Sequence, residues 1–198
     1  ASQIPATFDG RARVNIANAL AATAAAVADD VQLDHIRQAL RTFSSSFFQT
    51  PGRFNMLDLG GQQVVIDYCH NVAGLEAIGD FVSRMSADRA VGVISIPGDR
   101  SDDDMQQFGG LAGKIFDRII IREDDNRRGR AEGEIAERLR AAAVKGGFGQ
   151  DNLEIVLDEM EAVRRAVDTS DRNELLVLLV DKPAKVWEML TSQGAASA

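Results

Sequence analysis

The chain has 198 residues, 45% of them hydrophobic and 26% charged, with a formal net charge of -8. That length holds one ordinary domain, or one domain with part of another, and the acidic balance argues against a nucleic-acid groove, which needs a basic surface. A single cysteine excludes an internal disulfide framework, and two histidines are too few for a His/Cys zinc site, so no metal-ligating residues are assigned.

No apolar run approaches the roughly 18 residues of a membrane span. The N-terminus also lacks the basic-then-apolar order of a signal peptide. A cytoplasmic location is expected, with small charged metabolites as partners and no role for nucleic acid or membrane.

The first fifty residues read as helical. From Val14 the apolar positions Ile16, Leu20, Ala24 and Val27 recur at helical spacing, and a second helix follows with Ile36, Leu40 and Phe43 on one face and Asp34 as a candidate N-cap. SSSFFQTPGR, 44–53, breaks the pattern and is the candidate linker. Beyond it, QVVID, AVGVISI, DRIIIR, NLEIVLD and ELLVLLV read as strands. Between them, Leu75/Ile78/Val82/Met85, Met105/Phe108/Ala112/Ile115, Ile135/Leu139/Ala142 and Met160/Val163/Val167 are each spaced for one buried helical face. Ser101 with Asp104 and Asp158 with Glu161 read as capping boxes, and Pro183 suits a first helical turn.

Near-continuous Val/Ile/Leu strands alternating with helices imply an α/β fold, a Rossmann-like open, mostly parallel sheet with helices on both faces, preceded by a short helical segment. Ligands of such sheets bind outside the carboxyl ends of the strands. That rule selects the loops DYCHN, PGDRSDDD and REDDNRRGR.

In DYCHN, Cys69 and His70 suggest a nucleophile and its base, but neighbours in an extended segment point to opposite faces. Cys69 reads as a small buried hydrophobe. Asp67 can accept hydrogen bonds from ribose hydroxyls and His70 can donate to a phosphate; the alternative is an aspartate capping the next helix beside an exposed histidine. PGR, 51–53, presents Arg53 on a turn, suited to a terminal phosphate oxygen or simply to solvent. NIAN, 15–18, puts Asn15 and Asn18 on one helical face, as readers of an adenine edge or as surface amides. In GDRSDDD, Asp102, Asp103 and Asp104 suit a helix start, which leaves Asp99 and Arg100 for a ligand. REDDNRRGRAEGE mixes four arginines with acids. It is either solvated surface or a specificity loop in which Asp124 or Asp125 meets a cationic substrate and the arginines hold carboxylate or phosphate.

Together RVNIANALAATAAA, PGRFN, VVIDYCHN, PGDRSDDD and FDRIIIREDDNRRGRAEGE resemble the Mur ligase superfamily. These are the ATP-dependent amide-forming ligases of peptidoglycan synthesis, folate polyglutamylation and cyanophycin synthesis, and the last two segments resemble the cyanophycin branch. The resemblance implies that residues 1–50 end a central ATPase domain and that 51–198 form the C-terminal Rossmann-like domain. No GxxxxGK[ST] occurs, so a fragment of a larger synthetase is expected, with ATP and Mg2+ bound mainly by an upstream domain. By resemblance Asn18 contacts adenine, Arg53 the ATP phosphates and Asp67 the ribose, while His70 lies near the phosphates; Arg53 and His70 are the catalytic candidates. Asp124, Asp125, Arg127 and Arg128, with Asp99 and Arg100, are the substrate candidates. Cys69 stands where alanine is usual in the family, and Val72 where proline often follows.

The implied activity joins an amino acid, arginine or aspartate, to a growing peptide through an acyl phosphate, with arginine going onto an aspartate side chain. Another Mur-type amino-acid ligase and a non-catalytic nucleotide- or partner-binding module are the alternatives. The fragment alone is expected to be inactive, and self-association is left open.

Overall fold

A computed structural model describes residues 3–196, without the side chains of 193–196. Two helices come first, α1 (Arg13–Ala28) and α2 (Leu33–Thr42). The α/β body follows as β1 (Asn55–Leu59), β2 (Gln62–Asp67), α3 (Val72–Val82), β3 (Arg89–Ile94), α4 (Asp102–Ile115), β4 (Arg118–Ile121), α5 (Glu134–Lys145), β5 (Leu153–Ile155), α6 (Glu159–Asp168), β6 (Glu174–Leu179) and α7 (Pro183–Ala196).

The strands form one sheet in the order β1-β2-β6-β3-β4-β5, parallel except for β1, which pairs antiparallel with β2. Period-2 alternation divides the buried strand residues between two cores. Val65, Ile94, Ile119, Ile121, Leu175 and Val177 face α3, α4 and α5. Val64, Ile66, Val91, Val93, Ile120, Leu176 and Leu178 face α6 and α7. Both faces are covered, which is why these strands read as unbroken apolar runs.

Strand β6 inserts between β2 and β3, and α7, which follows it, lies on the opposite face from α3 and α4. The carboxyl ends of β2, β6 and β3 therefore open onto crevices flanked by helices that depart in opposite directions. The loops after β2, β3, β4 and β6 all reach this edge.

The helix starts follow the sequence in most cases. Ser101 and Asp104 form a reciprocal capping box on α4, Asp158 accepts the Glu161 amide at 2.8 Å as the cap of α6, one half of the box expected there, and Pro183 opens α7. At α2 the cap differs from expectation: Gln32 occupies the N-cap and Asp34 lies within the first turn, paired with Arg37 at 2.9 Å. Helix α1 forms as expected, but its apolar positions Leu20 and Val27 are 67% and 48% exposed, so its spacing did not mark a buried face.

Strand β1 goes beyond the sequence expectation, which assigns no element to NMLDL, 55–59. Its signal is the Gly60-Gly61 pair, both at positive φ, closing a hairpin whose Gly61 amide donates to Asp58 at 2.6 Å. Among the described residues, no helix is long and apolar enough to cross a membrane.

Candidate active site

At the end of β2 the chain passes through Asp67, Tyr68, Cys69, His70 and Asn71 before α3 begins. Asn71 is the cap, its side chain accepting the Gly74 amide at 2.8 Å. Asp67 is thereby relieved of capping. It is 7% exposed, and its Oδ2 accepts the Phe54 amide at 2.9 Å, across the β1–β2 hairpin. Burial raises its pKa, opposed by the Phe54 amide, the charges of Arg53 and His70, and the Cys69 amide.

Asp67 lies in the wall of a cleft of about 610 Å³ shared by α1, α2, the 44–53 segment and α3. Asn18 and Arg53 line the same cleft, with Val14, Leu40, Phe43 and Ala77 as its apolar surface. Three of the four residues expected at the nucleotide are therefore gathered around one opening. The Asn15/Asn18 pair separates in role: Asn15 donates to the Ala6 carbonyl at 2.7 Å, fastening the start of the chain to α1, while Asn18 stays exposed with only a 3.5 Å contact to Asn15.

His70 does not line the cleft. Its Nδ1 is 3.1 Å from the Tyr68 carbonyl, and its ring lies tilted beside Tyr68 at 5.5 Å between centroids. The Arg53 guanidinium carbon sits 5.5 Å from the centroid of the same Tyr68 ring. Tyr68, unassigned from sequence, is thus the side chain between the two catalytic candidates; an aromatic residue between Asp67 and Cys69 was its signal.

Cys69 is buried and its thiol pKa is pushed up to about 12, first by burial and also by the Asp67 charge. Its Sγ–H approaches the Asn71 carbonyl at 3.6 Å rather than His70. A thiol held protonated in this way is no nucleophile.

The substrate candidates form a second group at the same edge. Arg100 Nε donates to the His70 carbonyl at 3.3 Å, tying the loop after β3 to the loop after β2. Asp99 pairs with Arg128 at 3.6 Å, and Arg127 with Glu132 at 3.8 Å. Asp124 accepts the Asn126 amide at 2.9 Å. Asp125 is bound to Lys182, whose ammonium holds its carboxyl below the usual carboxylate range. The cationic partner expected for Asp125 is therefore supplied from within the chain.

Three residues of the same loop, which the sequence offers either as solvated surface or as part of a specificity loop, instead hold the fold together. Arg122 and Glu123 are 2% and 4% exposed. Arg122 donates to the Leu179 carbonyl at 3.1 and 3.0 Å and contacts Asp181 at 2.6 Å and Glu159 at 3.1 Å. Glu123 accepts the amides of Gly133, Ile135 and Ala136 at 2.9 to 3.1 Å, fixing the start of α5. Arg130 fastens the loops after β3 and β4 together, donating to the Gly98 and Arg100 carbonyls at 2.8 and 3.1 Å and pairing with Asp102 at 2.9 Å. Among the described residues, no three His, Cys, Asp or Glu side chains gather to hold a metal ion.

Comparison with known proteins places this geometry in context. The chain is 41% identical over 98% of its length to cyanophycin synthetase of Nostoc sp., and 40% identical over 98% to that of Synechocystis sp.. It spans 21% and 22% of those two proteins. Among solved structures, UDP-N-acetylmuramate-alanine ligase of Thermotoga maritima aligns with a TM-score of 0.65 at 15% identity, covering 93% of this chain and 38% of that one. Folylpolyglutamate synthase of Mycobacterium tuberculosis, complexed with ADP and AMPPCP, aligns at 0.59 and 22% identity, covering 80% and 35%. At such identities these two speak for the fold. The model of the Mur ligase glutamate ligase domain matches residues 52–180, which take in the sheet and the loops described above, and on that match the chain belongs to the Mur ligase family.

Proposed function

We propose that this chain forms the nucleotide-closing part of an ATP-dependent amide ligase of cyanophycin synthetase type, working in the cytoplasm. In that reading residues 1–50 end the central ATPase domain and 51–198 are the C-terminal domain. The observation that supports it is the convergence of Asn18, Arg53 and Asp67 on one largely apolar cleft. Apolar walls suit a purine, Asn18 offers an amide to its edge, and the Asp67 oxygen not engaged by Phe54 suits a ribose hydroxyl.

The reaction is the attack of a substrate carboxylate on the γ-phosphorus of ATP, which releases ADP and leaves an acyl phosphate. An amine then attacks the acyl carbon, phosphate departs, and the nitrogen loses a proton as the amide forms. Arg53 neutralises charge on the phosphates, and His70, held beside it through Tyr68, donates a hydrogen bond there. Asp99, Arg100, Asp124, Arg127 and Arg128 line the approach of the incoming amino acid, arginine in this reading, toward an aspartate side chain of the growing peptide. Asp125 joins them through its Lys182 pair.

The test is ADP release by the intact protein with arginine and an aspartate-bearing peptide acceptor. Arginine-dependent release that Arg53→Ala abolishes, with the amino-acid KM little changed, supports the assignment. Release with another amino acid would move the protein to a different Mur-type ligase, and no release with any would leave a binding module.

A further inference from the structure

The segment that carries Arg53 is a fixed structure, and one buried side chain accounts for most of it. Asn55 is 0% exposed. Its Oδ1 accepts the Gly52 amide at 2.6 Å, and its Nδ2 donates to the Thr50 and Ser45 carbonyls at 2.9 and 3.0 Å, with the Arg53 carbonyl at 3.4 Å. Both amide hydrogens and the carbonyl of this side chain are therefore engaged on one stretch of backbone, 45–53.

The same stretch is held from outside. Phe47 stacks on Trp187 of α7 with centroids 4.5 Å apart and planes 8° from parallel. The Gly52 carbonyl accepts the Tyr68 amide at 2.8 Å, and Gly52, at φ +70, lies so near Pro183 that a Cβ would come within 2.9 Å of its ring. Phe54 also has a positive φ of 49°, a conformation that costs a non-glycine residue energy and persists only where its surroundings enforce it. Asn55 on one side and the Asp67 bond to the Phe54 amide on the other supply that enforcement.

We propose that Asn55 is a positioning residue: it locks residues 45–53 onto the sheet and thereby aims the Arg53 guanidinium at the nucleotide phosphates. The inference rests on the reading of Arg53 given above. A guanidinium at the end of a free linker would sample many directions, whereas one on a locked turn carries little ordering cost on binding.

Two measurements decide it. In this chain, Asn55→Ala speeds hydrogen exchange at the amides of Thr50, Gly52 and Arg53 on the order of tenfold, while the amides of Val64–Ile66 stay protected. In the intact protein, Asn55→Ala lowers turnover on the order of tenfold with the amino-acid KM within about twofold, and adds less than about twofold when Arg53 is already alanine. Unchanged exchange at 50–53, unchanged turnover, or an equal loss in the Arg53→Ala background overturns the proposal. If Arg53→Ala alone leaves turnover intact, the reading of Arg53 falls, and exchange then decides the loop by itself. Should Asn55→Ala fail to fold, Asn55→Ser, which keeps a short donor and acceptor, gives the same comparisons.

Discussion

The Phe54 amide donates to Asp67 Oδ2 at 2.9 Å, so the residue after Arg53 is fastened to the carboxylate at the end of β2. That carboxylate is buried at a cost, which raises its pKa above the ordinary 3.8. A raised carboxyl pKa means the fold is stabilised by the protonated form below the unfolded value, and that contribution is lost as pH rises through the folded pKa. Asp67→Asn keeps an acceptor for Phe54 without the charge. It is expected to stabilise the chain at pH 7, an advantage that vanishes below about pH 3.8, and to weaken nucleotide binding. Urea denaturation across pH with nucleotide titration checks this; a destabilised variant at pH 7 contradicts it.

Cys69 packs its Sγ where a Cβ on Gly74 would lie 2.9 Å away, and burial pushes its thiol pKa up to about 12, which keeps the thiol protonated at neutral pH. Iodoacetamide is therefore expected to label the folded protein far more slowly than the unfolded chain. Cys69→Ala should retain turnover and lose no more than about 1 kcal/mol of stability, since it removes one small buried atom. Rapid labelling of the folded chain or an inactive variant would return the cysteine to candidacy.

How much of this was legible in the sequence depended on periodicity. The strands β2, β3, β4 and β6 and the helices between them stood out because burial on both faces leaves long Val/Ile/Leu runs. Strand β1 did not, because it is a half-buried edge strand with Asp58 exposed, and Gly60-Gly61 was its only clear mark. Asn18, Arg53 and Asp67 stand out by position but took their roles from resemblance, and their meeting at one cleft needed the hairpin and α1 to be placed. Asn55 was invisible because asparagine in a turn looks like surface. Arg122 and Glu123 were hidden in a charge run, although the period of two, carried past Ile120 and Ile121, sends Arg122 toward α6 and α7 and Glu123 toward α5.

Arg122 is the charge on which two segments converge: Leu179 and Asp181 from the end of β6, and Glu159 from the start of α6. Glu159 in turn accepts the amides of Asp181 and Lys182 at 2.6 and 3.0 Å. Arg122→Leu would strand Glu159, 4% exposed, without its cation, at an expected cost of about 3–5 kcal/mol. Lys182→Ala removes only the solvent-facing partner of Asp125 and should cost less than about 1 kcal/mol. Thermal unfolding of both variants tests the contrast; similar losses would mean that the Arg122 cluster contributes no more than a surface pair.

Gly98 lies against the backbone of the neighbouring loop: a Cβ there would sit 2.1 Å from the Arg127 carbonyl oxygen and 2.8 Å from its carbon. Neither atom can swing aside as a side-chain tip could, because Arg130 pins both loops through the Gly98 and Arg100 carbonyls. Gly98→Ala must therefore push the loops after β3 and β4 apart, at an expected cost of about 2–3 kcal/mol. Separation moves Asp99 from Arg128, now 3.6 Å apart, but leaves Asn18, Arg53 and Asp67 in place, since they line a cleft whose walls include neither Gly98 nor Arg127. In the intact protein the amino-acid KM is then expected to rise several-fold while nucleotide affinity holds within about twofold. A loss confined to nucleotide affinity would show that the two groups of residues do not divide the work in this way, and that the Asp99–Arg128 loops serve the cleft instead.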